Sequence, residues 1–153
     1  MTIPPPQTAT QYRITTKSLS SFLNPGRLVS QESPSATIRI PNPRFDRFYS
    51  YDELTALLRD LAAAHPGLMR LESIGTSHEG RDIWLADLTH FAGGGDRDKP
   101  GFWVDGNLHA PELAGSSACL YFIQNLLAGY GSDPDITRCL DTRVFYICPR
   151  VNP

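Results

Sequence analysis

The spacing of hydrophobic positions after residue 50 first predicts a helix. Ser50 and Glu53 have the spacing of a capping box, which is typical of a helix start. A Pro-Gly pair at 66–67 is typical of a helix end. Between these signals, leucines recur at intervals of three and four residues and form one stripe that faces a core, namely Leu54, Leu57, Leu58 and Leu61.

Four short apolar runs are typical of strands, and they lie at 68–74, 82–88, 102–107 and 143–148. A polar turn that contains glycines separates the first two runs, so a hairpin is the simplest pairing for them. The third run is almost continuously apolar. We therefore expect it to be buried on both faces of the sheet.

Two more helices are predicted between the third and fourth strands. The segment 112–131 is apolar almost all round, and its small residues at 114–118 allow another segment to approach closely. Asp133, Pro134 and Asp135 are typical of the cap and first turn of a short helix that runs through Leu140. Because helices alternate with strands, the sequence predicts an α/β fold, a helix-sheet-helix sandwich around a mixed sheet.

The sequence stops at Pro153, directly after the fourth predicted strand. A last strand that has no neighbour and no covering helix would expose a long sheet edge. We therefore expect the chain to be a fragment of a longer domain, truncated after about four strands.

Residues 1–47 differ in composition from the rest of the chain. They hold seven of the 13 prolines and twelve serines and threonines, with few large apolar residues to anchor them. This composition predicts a flexible leader, followed by a folded domain at 48–153. A short alternating run at 36–40 could add an edge strand, which Pro41 and Pro43 would end.

Charge and cysteine content narrow the classes of partner. The net charge is −2, with 14 basic and 16 acidic residues, and the sequence has no cluster of cationic residues. We therefore expect neither nucleic acid nor a membrane surface as a partner. The N-terminus lacks the pattern of a secretory signal, and no apolar run approaches a membrane span. Three cysteines, two of them in apolar stretches, favour a reducing, cytoplasmic setting. The oligomeric state stays open.

The stretch GNLHAPELAG places His109 and Glu112 three positions apart, between the third strand and the long helix. Ligand-binding groups of α/β folds gather in such loops, and catalytic zinc is bound by histidine nitrogen and glutamate oxygen. Alternatively, Pro111 begins the helix, Glu112 interacts favourably with its dipole, and His109 only precedes the cap. Spacing alone leaves both interpretations open, because a catalytic zinc needs three protein ligands.

The other histidines and the cysteines have ordinary explanations. His65 lies at a helix C-terminus, where a cation is favourable, while His78 lies in a polar turn and His90 follows a strand. None of them has a ligand partner at pair spacing. The cysteines lack C-x-x-C spacing and are predicted to be thiols of the core or of a helix surface, at positions 119, 139 and 148.

Three motifs resemble, in order and spacing, the N-terminal half of the zinc metallocarboxypeptidases related to carboxypeptidase A. The first is Gly-x-Ser-x-Glu-Gly-Arg at 75–81, and the second is Gly-Asn-x-His-x-x-Glu at 106–112. The third is the Asn-Pro of an Asn-Pro-Asp-Gly motif, at 152–153. The resemblance covers roughly residues 48–153, and several ordered motifs are more specific than one.

The resemblance implies a zinc metallocarboxypeptidase that acts on peptide or protein C-termini, with His109 and Glu112 as its first two metal ligands. In the family, the third ligand, the glutamate base and the substrate-binding residues lie well downstream. Only 44 residues follow His109 here (153 − 109), so the resemblance implies half a site that is inactive alone. No catalytic residue other than the metal ligands is assigned.

Two alternatives stay open beside the peptidase. A deacylase of the same fold would cleave N-acyl amino acids through a related His-x-x-Glu site. A catalytically silent product, or a binding module, would use only the scaffold. Pro111 stands where animal digestive members often carry an arginine, which leaves the side-chain preference of the enzyme undetermined.

Overall fold

The computed structural model describes residues 41–153. The predictions for most of the leader, including the strand at 36–40, lie outside the described residues. Residues 41–47 contact the folded part: the Gln124 side chain donates a hydrogen bond to Asn42 Oδ1 (2.9 Å), and the Phe45 ring packs edge-on against Tyr121 at 5.2 Å. The domain boundary at 47 stays a prediction.

The first helix, α1 (Tyr51–Ala64), begins at the predicted capping box. The Glu53 backbone N–H donates to Ser50 Oγ, and the Ser50 backbone N–H donates to the Glu53 carboxylate. These bonds satisfy backbone groups that the first helical turn leaves free. Three leucines of the predicted stripe are buried in the core, namely Leu54, Leu58 and Leu61.

The next two elements form the predicted hairpin. Strands β1 (Met69–Thr76) and β2 (Asp82–Leu88) pair antiparallel, with an irregularity in register between Ser73 and Thr76. The turn between them is closed by a hydrogen bond from the Ser77 N–H to the Arg81 carbonyl oxygen. Gly80 has φ +76°, a conformation that glycine adopts without strain.

Two further strands complete a four-stranded sheet with the order β1-β2-β4-β3. They are β3 (Gly101–Asp105) and β4 (Val144–Cys148). Strand β4 runs antiparallel to β2 and parallel to β3. The sheet is therefore mixed, as predicted.

Two strands of the described sheet differ in burial from what the sequence predicts. Strand β4, expected to lie at an exposed edge, lies between β2 and β3 and is largely buried. Strand β3, expected to be buried on both faces, lies at an edge of the described sheet, with Phe102 and Trp103 54% and 55% exposed. An apolar run indicates that burial of the strand is favourable, whereas the connections of the chain decide which strands lie next to it.

The helices α2 (Leu113–Gly129) and α3 (Pro134–Thr142) connect β3 to β4. The Asp133 side chain caps α3 by accepting hydrogen bonds from the backbone of Asp135 and Ile136. Helix α2 buries one side and exposes Tyr121, so it is less enclosed than its composition predicted. All three helices contribute to one core with the sheet, which confirms the α/β class with a mixed sheet flanked by helices.

Candidate metal centre

The candidate site lies where the parallel strands β3 and β4 end. Because both strands run in the same direction, the segments that follow them leave the same edge of the sheet. The Gly106 N–H donates to the Cys148 carbonyl oxygen (3.0 Å), and the Val151 N–H donates to the Gly106 carbonyl oxygen (3.1 Å). These bonds hold residues 106–112 beside the segment that follows β4.

His109 and Glu112 face each other in this loop. His109 Nδ1 lies 3.4 Å from Glu112 Oε2, and the two side chains are 72% and 67% exposed. Helix α2 begins only at Leu113, and the Glu112 side chain makes no capping hydrogen bond. Pro111 therefore does not begin the helix, and Glu112, which occupies the N-cap position, makes no capping hydrogen bond through its side chain.

The donor chemistry of this pair fits zinc. An imidazole nitrogen and a carboxylate oxygen are both ligands of catalytic zinc, and here they point at each other from one exposed turn. Within residues 41–153, no group of three or more histidine, cysteine, aspartate or glutamate side chains is placed to hold an ion. The described residues therefore bring together two donors of the kind that a three-ligand site requires.

Asn107 shapes the loop that carries the pair, and sequence reasoning assigned it no role. It is buried and has φ +55°, the one non-glycine residue with positive φ in the described part of the chain. Its Nδ2 donates to the carbonyl oxygens of His109 (2.9 Å) and Ala110 (3.0 Å). An asparagine that follows a strand and a glycine was the available signal, because asparagine tolerates positive φ better than most residues.

A hydrogen-bond network that the sequence did not reveal holds the start of α2. Ser116 Oγ donates to the Pro149 carbonyl oxygen (2.7 Å), and the Arg150 guanidinium reaches Ser116 Oγ (3.3 Å) and the Tyr49 carbonyl oxygen (3.0 Å). Burial, with a smaller effect of Arg81, lowers the pKa of Arg150 from its usual range. This hydrogen-bond network joins α2, the segment after β4 and the segment before α1 beside the candidate site.

The other histidines lie apart from the pair. His90 follows β2, whose carboxyl end pairs with the beginning of β4, so it lies at the opposite end of the sheet, with Nδ1 2.9 Å from Asp141 Oδ1. His78 lies exposed in the hairpin turn. His65 caps the end of α1, and burial lowers its pKa, which opposes the preference of a helix end for a cation.

Two cysteines are buried directly beneath the loop. Cys119 Sγ would lie 3.0 Å from a Cβ on Gly106, and Cys148 accepts the Gly106 N–H through its carbonyl oxygen. Burial raises the pKa of both thiols, to about 11 for Cys119. The thiols therefore stay protonated near neutral pH, as expected for core residues, and Cys139 is half-buried.

Comparison with known proteins decides the family. The sequence profile described as zinc carboxypeptidase matches residues 54–153. The chain belongs to the zinc carboxypeptidase family. The matched segment contains the mixed sheet, the three helices except for the first turn of α1, and the His109–Glu112 pair.

Individual relatives agree with this assignment. Carboxypeptidase A6 of Homo sapiens is 30% identical over 142 residues, which cover 93% of this chain and 31% of the relative. A zinc carboxypeptidase of Saccharothrix mutabilis subsp. capreolus is 33% identical over 106 residues, which cover 69% of this chain and 26% of the relative. The crystal structure of carboxypeptidase A from Helicoverpa armigera superposes with a TM-score of 0.63 and 29% identity, covering 72% of this chain and 26% of that one.

The chain thus spans less than a third of the length of these three relatives. The described residues form part of a carboxypeptidase domain. No helix within residues 41–153 is long and apolar enough to cross a membrane.

Proposed function

We propose that this chain carries part of the active site of a zinc metallocarboxypeptidase, with His109 and Glu112 as two ligands of one zinc ion. The observation that carries the proposal is the 3.4 Å approach of His109 Nδ1 to Glu112 Oε2, at the carboxyl end of two parallel strands. Membership of the zinc carboxypeptidase family supports zinc over other ions. The substrate class would be peptide or protein C-termini.

A zinc ion bound there would polarise the scissile carbonyl and lower the pKa of a bound water toward about 7. The contribution of this chain is to fix two donors. The carboxylate of Glu112 adds negative charge beside the imidazole of His109, and the loop bonds around Asn107 restrict where both side chains leave the backbone.

We further propose that the 153-residue chain alone binds zinc weakly and hydrolyses no peptide bond. Two protein ligands leave the ion largely hydrated, so the geometry that generates hydroxide near neutral pH is not enforced. In the family, the third histidine and the glutamate base lie further along the polypeptide. Absence of a general base alone reduces turnover by about 10²- to 10⁴-fold.

Zinc titration by calorimetry, with an assay for release of C-terminal residues on the same sample, tests both statements. We expect weak binding that is lost in His109→Ala and Glu112→Gln, and no metal-dependent hydrolysis. His78→Ala, in the exposed hairpin turn, is the matched control and should bind zinc as the wild type does. Tight stoichiometric binding together with metal-dependent hydrolysis would show that another residue completes the site.

The alternatives are distinguished by related measurements. Three relatives are named carboxypeptidase D, carboxypeptidase A6 and zinc carboxypeptidase, and these names favour the peptidase over a deacylase of N-acyl amino acids. A binding module that uses only the scaffold would show no zinc affinity that depends on His109. We also propose a cytoplasmic, reducing setting, which the three unpaired cysteines support. Mass spectrometry of thiols trapped in lysed cells would test this setting.

A further inference from the structure

The side-chain amide of Asn107 has a fixed orientation. Its Nδ2 lies within hydrogen-bond distance of two carbonyl oxygens, those of His109 and Ala110. A carbonyl oxygen only accepts hydrogen bonds, so the amide must present its NH₂ group to this pair. Asn107 Oδ1 therefore points away from them, and it is buried without a hydrogen-bond partner among the described residues.

This orientation has two opposite effects: the unpaired Oδ1 atom destabilises the folded state, and the bonded Nδ2 atom orders the loop. A buried acceptor without a donor destabilises the folded state. The two hydrogen bonds from Nδ2 act on the backbone of the very residue that carries the imidazole. The amide thus orders the loop through Nδ2 although its Oδ1 lacks a hydrogen bond.

The same carbonyl joins the two predicted ligands. The His109 carbonyl oxygen accepts a hydrogen bond from Asn107 Nδ2 and another, also 2.9 Å long, from the backbone N–H of Glu112. Any rotation of this peptide group would move the backbone of His109 and weaken its bond to Glu112. Asn107 therefore restrains the relative positions of both side chains through one peptide group.

We propose that Asn107 is a positioning residue for zinc, whose amide holds the backbone of His109 and Glu112 in the geometry that binds the ion. The inference rests on the proposed function, in which these two residues are ligands. The hydrogen bonds of the Asn107 amide go to backbone carbonyl oxygens, so its effect passes through the backbone.

Backbone conformation alone does not account for asparagine at this position. The backbone of Asn107 has φ +55°, a region that glycine enters with less strain than asparagine. If positive φ were the only requirement, Asn107→Gly would leave zinc binding unchanged. If the amide orders the loop, the same substitution would weaken zinc binding while preserving the backbone conformation.

The test is a zinc titration of the full chain, followed by NMR shifts of backbone amides, which report weak binding in fast exchange. We expect Asn107→Gly to weaken zinc affinity about tenfold, the lower end of the effect of partners that orient metal ligands. His109→Ala should abolish the response. Thr89→Val is the matched control, because Thr89 is buried and hydrogen-bonded at the opposite end of the sheet. It should lower thermal stability and leave zinc affinity unchanged.

Each outcome decides the inference. Wild-type affinity in Asn107→Gly, or an equal loss in Thr89→Val, would overturn the positioning role while the ligand assignment stands. Wild-type affinity in His109→Ala would overturn the proposed function, and the inference with it. Circular dichroism selects a temperature at which all variants are folded, and sucrose extends that range if Asn107→Gly is unstable.

Discussion

Gly106 and Gly115 meet backbone to backbone beneath the His109–Glu112 loop. A Cβ on Gly106 would lie 2.6 Å from both the carbonyl carbon and the carbonyl oxygen of Gly115. A Cβ on Gly115 would in turn lie 2.9 Å from the backbone nitrogen of Asn107. This contact sets how closely the end of β3 approaches the first turn of α2, and it fixes the base from which the loop leaves the sheet.

Gly106→Ala is expected to destabilise the fold by about 1–3 kcal/mol, because backbone atoms must shift to admit the methyl group. Urea unfolding followed by circular dichroism measures the loss. Gly67→Ala is the control: nothing lies within 4 Å of a Cβ there, so its effect should stay within about 0.5 kcal/mol. Equal effects at both positions would contradict the close-contact explanation.

Lys99 stabilises the end of the sheet opposite the candidate site. Its Nζ lies 2.9 Å from Thr89 Oγ1 and 2.9 Å from the His90 carbonyl oxygen. Lys99→Met should lower the free energy of unfolding by about 1–3 kcal/mol, because these partly buried oxygens lose a charged donor. Arg97→Met, a nearby exposed cation, should have little effect in the same unfolding measurement. A loss of similar size in Arg97→Met would point to net charge instead of these bonds.

The capping box of α1 predicts a dependence of stability on acid pH. Hydrogen bonds from the Ser50 backbone, the Arg47 side chain and the Ser50 side chain lower the pKa of Glu53 from 4.5 to about 2. Because the folded-state pKa is depressed, this stabilisation is present above pH 4.5 and is lost as the pH falls toward 2. Glu53→Gln should flatten this part of the curve of melting temperature against pH.

The control for this prediction is Glu72→Gln, an exposed strand glutamate for which the same acid dependence as the wild type is expected. If Glu53→Gln retained the full wild-type slope between pH 4.5 and 2, other carboxylates would carry the effect.

The thiols should differ in reactivity in the folded protein. Burial, with smaller effects of Cys148 and Asp105, raises the pKa of Cys119 to about 11. Its thiolate is therefore scarce at pH 8, and the buried position also slows access. We expect iodoacetamide to modify the half-buried Cys139 first, and Cys119 and Cys148 only after unfolding in urea, as mapped by peptide mass spectrometry. Rapid modification of Cys119 in the native state would contradict its burial.

Local patterns in the sequence determined the elements whose causes are local. The capping box at Ser50, the leucine stripe of α1 and the Asp133 cap of α3 each depend on residues within a few positions of one another. The hairpin of β1 and β2 follows from two apolar runs and a short glycine-containing turn. The neighbouring motifs, read with the spacing of His109 and Glu112, likewise pointed to the family, which the sequence profile confirms, and to a candidate metal centre.

Only the tertiary structure decided how distant segments meet. The apolar runs of β3 and β4 look alike in sequence, yet β4 takes the interior place and β3 an edge of the described sheet, because crossover connections and not composition set strand order. The same holds for Gly106 and Gly115, whose backbones meet only where the end of β3 packs against the first turn of α2. Residue spacing along the chain predicts local geometry, whereas contacts between remote backbone segments depend on the packing of the whole fold.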